Sequence, residues 1–293
     1  MPSHFSLLPH RSVISVAGAD RVEFLQGLIS NDTRKVGPGC AVWAALLTPQ
    51  GRFLNDMFVV DAGNDAFFLE TERARAPALA KKLKMYTLRS KVSVEDMGAT
   101  LEVAAAFGDD ASRALGVGTV SFVDPRLEAL GIRVIAAAGQ ASTLLAARGF
   151  AETSLAGYDA MRLPLGVPDG SRDLQVEKAL LLENGFDELN GVDWKKGCYM
   201  GQELTARTKY RALIKKRLFP VKVVGTLPEP GTPVLQDGAE VGELRSGTGD
   251  RALAMLRLDA ARGSGAALMA GDTRIVPEIP SWMRLPDPAA PSG

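Results

Sequence analysis

The chain has 293 residues, 46% hydrophobic and 23% charged, with Lys plus Arg equal to Asp plus Glu at 34 each. That length exceeds one ordinary domain, the composition is that of a globular mixed fold, and the balanced charge excludes a global field drawing it to nucleic acid or membrane. Two cysteines, Cys40 and Cys198, and two histidines, His4 and His10, exclude a disulfide-stapled scaffold, a zinc site of usual ligand spacing and a conventional iron-sulfur cluster held by this chain alone.

Met1 to Asp20 lacks the apolar core of a signal peptide, and no run reaches the ~18 apolar residues of a membrane span. A cytoplasmic protein without a membrane partner is expected. Asp20 and Glu23 have capping-box spacing ahead of the apolar face Phe24, Leu25, Leu28 and Ile29, so a short helix is predicted there. Strand-like runs at 41–47 and 52–60 flank Thr48-Pro-Gln-Gly51, whose proline and glycine positions fit a hairpin turn. Asn55 and Asp56 interrupt the second run. Its pattern alone places Asp56 on the solvent side of an antiparallel sheet; facing a cavity is the alternative.

A strand at 66–71, a helix at 76–86 and a strand at 91–95 complete a compact α+β unit. Strands near 101–107 and 131–138, with helices near 111–115 and 141–147, repeat the alternation, and a short helix before Pro164 follows. From Arg217 the texture changes to short strands at 218–224, 231–234, 240–244, 252–258 and 266–268, the pattern of a small antiparallel sheet or barrel. The boundary is expected near 213, giving regions 1–212, with an inner subdomain at about 45–98, and 213–284, then a disordered tail at 285–293.

The candidate site is Lys195-Lys196-Gly197-Cys198-Tyr199-Met200-Gly201-Gln202-Glu203. A thiolate is the working form of cysteine, and neighbouring ammonium groups favour it. Lys196 is therefore read as tuning the charge of Cys198, with Gln202 and Glu203 orienting it. The alternative is a tight turn with Cys198 as a small buried hydrophobe; the same fate is expected for Cys40. Six cations between Arg207 and Arg217 form either a solvated helix face or a surface for an acidic or RNA-bearing client. Tyr199 and Tyr210 either pack or stack on a ring.

The signature from Lys196 to Glu203 resembles that of the YgfZ-type proteins, folate-binding relatives of the glycine cleavage T-protein that assist iron-sulfur enzymes. Phe24-Leu-Gln-Gly-Leu-Ile-Ser-Asn-Asp32, Leu47-Thr-Pro-Gln-Gly51, Arg162-Leu-Pro-Leu-Gly-Val-Pro168 and Gly242-Glu-Leu-Arg-Ser246 join it in the family's order. The resemblance spans roughly residues 5–283. It implies an α+β, three-subdomain T-protein-like ring with two mixed subdomains and a C-terminal antiparallel β-barrel. It also implies tetrahydrofolate or a one-carbon derivative as cofactor, and iron-sulfur enzymes as clients. Asp56 matches the T-protein's catalytic aspartate, and Asp56, Arg162, Tyr199, Gln202 and Glu203 are the implied folate contacts. One position departs: where the T-protein has a pterin-holding glutamate in a Gly-x-Glu strand, Gly131-Ile-Arg133 carries arginine. A tetrahydrofolate-dependent aminomethyl- or methyltransferase, and a folate- or RNA-binding module without a reaction, are the competing readings.

Overall fold

The computed structural model describes residues 2–210, 214–263 and 266–286. The expected boundary at 213 and the tail from 287 onward lie outside the described residues. The chain divides into two compact units that alternate along the sequence: Met1–Pro49, Leu54–Tyr158 and Asn190–Gln202 form the first, and Gln50–Phe53, Asp159–Leu189 and Glu203–Gly293 the second.

In the first unit β1 (His4–Leu7), β2 (Arg11–Ala17) and α1 (Arg21–Gln26) are followed by β3 (Val42–Leu47), β4 (Phe53–Gly63), β5 (Ala66–Glu72), α2 (Ala76–Thr87) and β6 (Ser93–Asp96). Next come β7 (Leu101–Phe107), β8 (Val120–Val123), β9 (Ile132–Ala137), α3 (Ala141–Ala146), β10 (Ala151–Glu152) and the start of α4 (Leu155–Arg162). They build two five-stranded sheets, ordered β10-β1-β7-β9-β8 and β3-β4-β5-β2-β6. The helix α2 buries Ala76, Leu79, Ala80 and Leu83, the spacing of one helical face. In α1 the expected capping box is absent: the Asp20 carboxylate accepts the Lys91 amide at 2.7 Å, tying the helix start to the segment before β6.

The decisive strand is β4, in which every residue from Phe53 to Val60 is buried. Both of its faces are covered, so Asp56 lies inside and not on a solvent face. Register then fixes its neighbours. Phe58 pairs with Glu70 on β5, which in turn pairs with Val13 on β2. Charged groups from these three strands, Arg11 on β2, Asp56 on β4 and Glu70 on β5, meet in the interior.

The second unit contains α5 (Gln202–Tyr210), β11 (Lys216–Val224), β12 (Pro233–Gln236), β13 (Ala239–Thr248), β14 (Arg251–Arg257), α6 (Leu258–Ala261), β15 (Leu268–Ala270) and β16 (Thr273–Pro277). Its strands close into a barrel ordered β11-β14-β13-β12-β15-β16, which leaves no open sheet edge. Phe219, Val221, Val234, Leu244, Leu256 and Ile275 are among its buried core residues. The expected α+β class with a C-terminal antiparallel barrel is the observed architecture. The strands β1, β2, β8, β10 and β16 have no counterpart in the sequence expectations.

Candidate functional site

The motif between Phe24 and Asp32 is the bed on which the cysteine loop lies. Ser30 Oγ donates to the Gly191 carbonyl at 2.6 Å, and Asn31 Nδ2 donates to the Asn190 carbonyl at 2.6 Å and to that of Trp43 at 2.7 Å. Gln26 Nε2 donates to the Lys196 carbonyl at 3.2 Å while its Oε1 accepts from Thr33. The Met200 amide donates to the Gly27 carbonyl at 3.1 Å. Asp193 takes the Lys195 amide at 2.6 Å and the Lys35 ammonium at 2.5 Å. Burial opposes its charge, yet Lys35 and the amides of Lys195 and Lys196 hold it below the usual carboxylate value.

Lys196 is a clamp. Its side chain is buried, and Nζ donates to the carbonyls of Gln26 at 2.7 Å and Ile29 at 2.5 Å, at the end of α1. It also sits 5.1 Å from the centre of the Tyr199 ring. Burial lowers its pKa to about 8, against the partial support of Asp32 and Asp193. The ammonium is thus spent on helix-end carbonyls, where cations are favoured, which corrects the reading that it serves the thiol. Gly197, at φ +93, and Gly201, at φ +79, adopt angles that L side chains resist. The turn at Gly197 sends Lys196 inward and leaves Cys198 exposed. The alternative of Cys198 as a buried hydrophobe is excluded.

Tyr199 is 6% exposed, so its ring packs and offers no open face for stacking. The Gln202 Oε1 accepts the Tyr199 amide at 3.3 Å, closing the turn at the start of α5, and Glu203 is exposed in that helix's first turn. The loop thus gathers Lys196, Cys198, Tyr199 and Gln202, of which Cys198 is the exposed one, flanked by the exposed Lys195 and Glu203.

Asp56 belongs to a different construction. Its Oδ1 accepts from Arg11 at 3.2 Å and its Oδ2 from the Trp43 indole at 3.2 Å. Arg11 also binds Glu70 Oε1 at 3.0 Å, which takes Arg133 Nη1 at 2.9 Å. Arg133 reaches Asp124 at 3.3 Å and the Tyr158 hydroxyl at 2.9 Å, and Arg126 clasps Asp124 with contacts of 2.9 and 2.6 Å. Arg126 and Arg133 each stand 4.8 Å from the Phe58 ring centre. Burial disfavours the charge of Asp124, but the two arginines outweigh it and hold the group below its usual pKa. Three guanidiniums face three carboxylates, so the cluster is neutral, and each of the six residues is at most 2% exposed.

These residues do not fit a pterin. A side chain lining an open ligand slot is accessible to water when the slot is empty, whereas these are buried against one another, although Glu70 Oε2 has no hydrogen-bond partner among the described residues. A folate reaching Asp56 would have to displace Arg11 or Trp43. The Arg133 position, where a pterin-holding carboxylate was the comparison, supplies a cation already paired to Glu70 and Asp124. Nothing in the sequence had singled out Arg11, Glu70, Asp124 or Arg126. Charges such as Glu70 and Arg133 inside otherwise apolar strands were the available signal.

In the second unit Arg162 is fully buried and bound to Asp159 at 2.8 Å, Asp173 at 2.9 Å, the Val167 carbonyl at 2.6 Å and Ser246 Oγ at 2.9 Å. It has no surface left for a ligand, so the folate-contact reading of Arg162 is corrected. Because Ser246 also donates to Asp173 at 2.6 Å, the motifs at 162–168 and 242–246 form one structural lock. Half of the basic segment is paired within its own unit: Lys209 with Asp187 at 3.1 Å, Arg217 with Glu188 at 2.9 Å, and Lys216 near Glu183 at 3.9 Å, while Arg207 and Lys215 are exposed and Arg211 lies outside the described residues. That weakens the RNA reading. Cys40, expected in the core, is exposed: β3 begins only at Val42, and Cys40 closes a small turn with Gly37.

Residues 9–152 match the GCVT N-terminal domain and residues 215–285 the CAF17 C-terminal beta-barrel domain. The solved aminomethyltransferase T of the glycine cleavage system from Bartonella henselae superposes with a TM-score of 0.72 over 94% of this chain and 84% of that one, at 15% identity. The fold is therefore that of the T-protein class.

Within that class the chain belongs to the family of the iron-sulfur cluster assembly factor IBA57. It is 35% identical to the mitochondrial mouse protein over 87% of this chain and 78% of that one, and 33% identical to the human protein over 94% and 84%. The homologue from Mycosarcoma maydis is 33% identical over 75% of this chain, which spans 58% of that protein's length. These relatives are named as mitochondrial proteins, and the cytoplasmic expectation is corrected accordingly. The presence or absence of a signal-peptide pattern in residues 1–20 bears on secretion and does not tell one internal compartment from another. Among the described residues no helix is long and apolar enough to cross a membrane.

Proposed function

We propose that this protein is an accessory factor in iron-sulfur cluster assembly for client enzymes and that Cys198 donates one thiolate to a cluster completed by a second protein. The observation that carries this reading is an exposed thiol on a firmly anchored loop, in a chain whose described residues contain no group of three or more His, Cys, Asp or Glu placed to hold a metal. Cluster iron generally takes four thiolate or imidazole ligands in total, so one thiol implies a partner. The step is a ligand exchange: a sulfur–iron bond forms, the thiol proton leaves to solvent, and one ligand on the incoming cluster is released without change of oxidation state. Membership of the IBA57 family supports the same role.

Folate dependence, and the aminomethyltransferase alternative with it, is left out of this proposal because Asp56 is engaged by Arg11 and Trp43. The test is the activity of iron-sulfur enzymes in cells that depend on this chain. Replacement with Cys198→Ser is expected to abolish their activity while the variant accumulates normally; undiminished activity would remove the thiol from the function.

A further inference from the structure

Beside the cysteine loop, α2 ends on three exposed apolar side chains. Met85 is 66% exposed, Tyr86 37% and Leu88 90%. The Tyr86 hydroxyl lies 3.9 Å from the sulfur of Met200, two residues past Cys198. Leu88 has φ +26 at the helix end, where glycine is the unstrained choice. A leucine there carries backbone strain and a side chain that is 90% exposed.

The surroundings are basic. Lys81, Lys84, Arg89 and Lys91 are exposed, and helical spacing sets Lys81 one turn from Met85 and Lys84 one turn from Leu88. From Arg73 to Val94 the chain has seven cations and no carboxylate. In the segment 207–217, by contrast, Lys209, Arg217 and Lys216 are accompanied by Asp187, Glu188 and Glu183.

We propose that the end of α2 is the docking surface for the protein that supplies the remaining cluster ligands, a partner with an apolar recess rimmed by carboxylates and carrying its own cysteines. This rests on the assigned role of Cys198. An apolar centre with a charged rim is the usual anatomy of a recognition patch, and charge complementarity would set both orientation and encounter rate. An anionic membrane offers the same two chemistries but no ligands for the adjacent thiol, so a protein is the occupant.

The experiment introduces a photo-crosslinking benzophenone side chain at Leu88 in the full-length protein in cells and identifies adducts by mass spectrometry. The adduct protein is then purified and its binding measured to wild type, Lys84→Glu/Arg89→Glu and Cys198→Ser. The expected adduct is an acidic-faced, cysteine-bearing protein that binds the charge-reversed variant at least about tenfold more weakly, at an unchanged melting temperature. The surface is overturned by no adduct, by adducts with a second copy only, by capture on phosphatidylserine vesicles without a protein adduct, or by equal binding of the charge-reversed variant. Failure of the underlying reading looks different: Cys198→Ser would then keep client activity whatever Lys84→Glu/Arg89→Glu does.

Discussion

The interior around Asp56 and the loop around Cys198 hold reactive side chains in opposite states. Around Asp56, the side chains of Arg11, Glu70, Arg133, Asp124 and Arg126 pair with one another and are buried, with Glu70 Oε2 lacking a hydrogen-bond partner among the described residues. Around Cys198, the supporting groups are satisfied and the thiol is not enclosed. A buried neutral cluster stabilises or specifies a fold only while complete, because removing one member strands its partners. An exposed group on a fixed loop is free to meet another molecule. The same fold that keeps chemistry inside in one place presents it outside in another.

The contrast is broken most severely by Cys198→Ser, which should abolish client-enzyme activity and leave the denaturation midpoint unchanged. Next is Arg133→Met, which leaves Glu70 and Asp124 short of a cation; a loss of about 3–5 kcal/mol is expected in chemical denaturation, and a loss below 1 kcal/mol would mean that the cluster is not structural. Lys196→Met frees the carbonyls of Gln26 and Ile29 and should cost about 1–3 kcal/mol.

That variant also carries a pH signature. Lys196 has its pKa lowered by burial from 10.5 to about 8, so between these values the folded state binds fewer protons than the unfolded one. Stability contributed by this residue therefore rises with pH across that window and is least below it. Denaturation of wild type and Lys196→Met at pH 7.5 and 10 should show wild type gaining on the variant at the higher pH; a flat or falling difference contradicts the assignment. Calorimetric titration with tetrahydrofolate sharpens the other half of the comparison: no saturable heat is expected for wild type or for Asp56→Asn, and binding lost with Asp56 would reopen the interior. The smallest effect belongs to Lys209→Ala, whose exposed pair with Asp187 is worth less than about 1 kcal/mol.

Much of this was legible beforehand. The hairpin at 41–60, the helix of 76–87 and the barrel strands follow from hydrophobic period and turn chemistry, and the motif from Lys196 to Glu203 pointed to the loop. The errors share one cause. Lys196 lies two residues from Cys198, and nearness in sequence suggests nearness of charge, whereas across the turn at Gly197 the Lys196 side chain is buried and Cys198 is exposed. Asp56 looked like a solvent-facing or ligand-facing carboxylate because its partners stand 45 residues earlier at Arg11 and 13 earlier at Trp43. Only strand register reveals such pairs. Arg162 likewise joins Ser246 across 84 residues, which is why two motifs that marked the family gave no hint that they were one lock.

The central claim is that the exposed thiol, and not the buried carboxylate, is the working group. Cells expressing tagged wild type, Cys198→Ser or Asp56→Asn would be fed radioactive iron and the chain isolated without oxygen. Iron should accompany wild type and Asp56→Asn in proportion to the folded protein recovered, and should be lost from Cys198→Ser. Equal iron on wild type and Cys198→Ser, or its selective loss from folded Asp56→Asn, would contradict that claim.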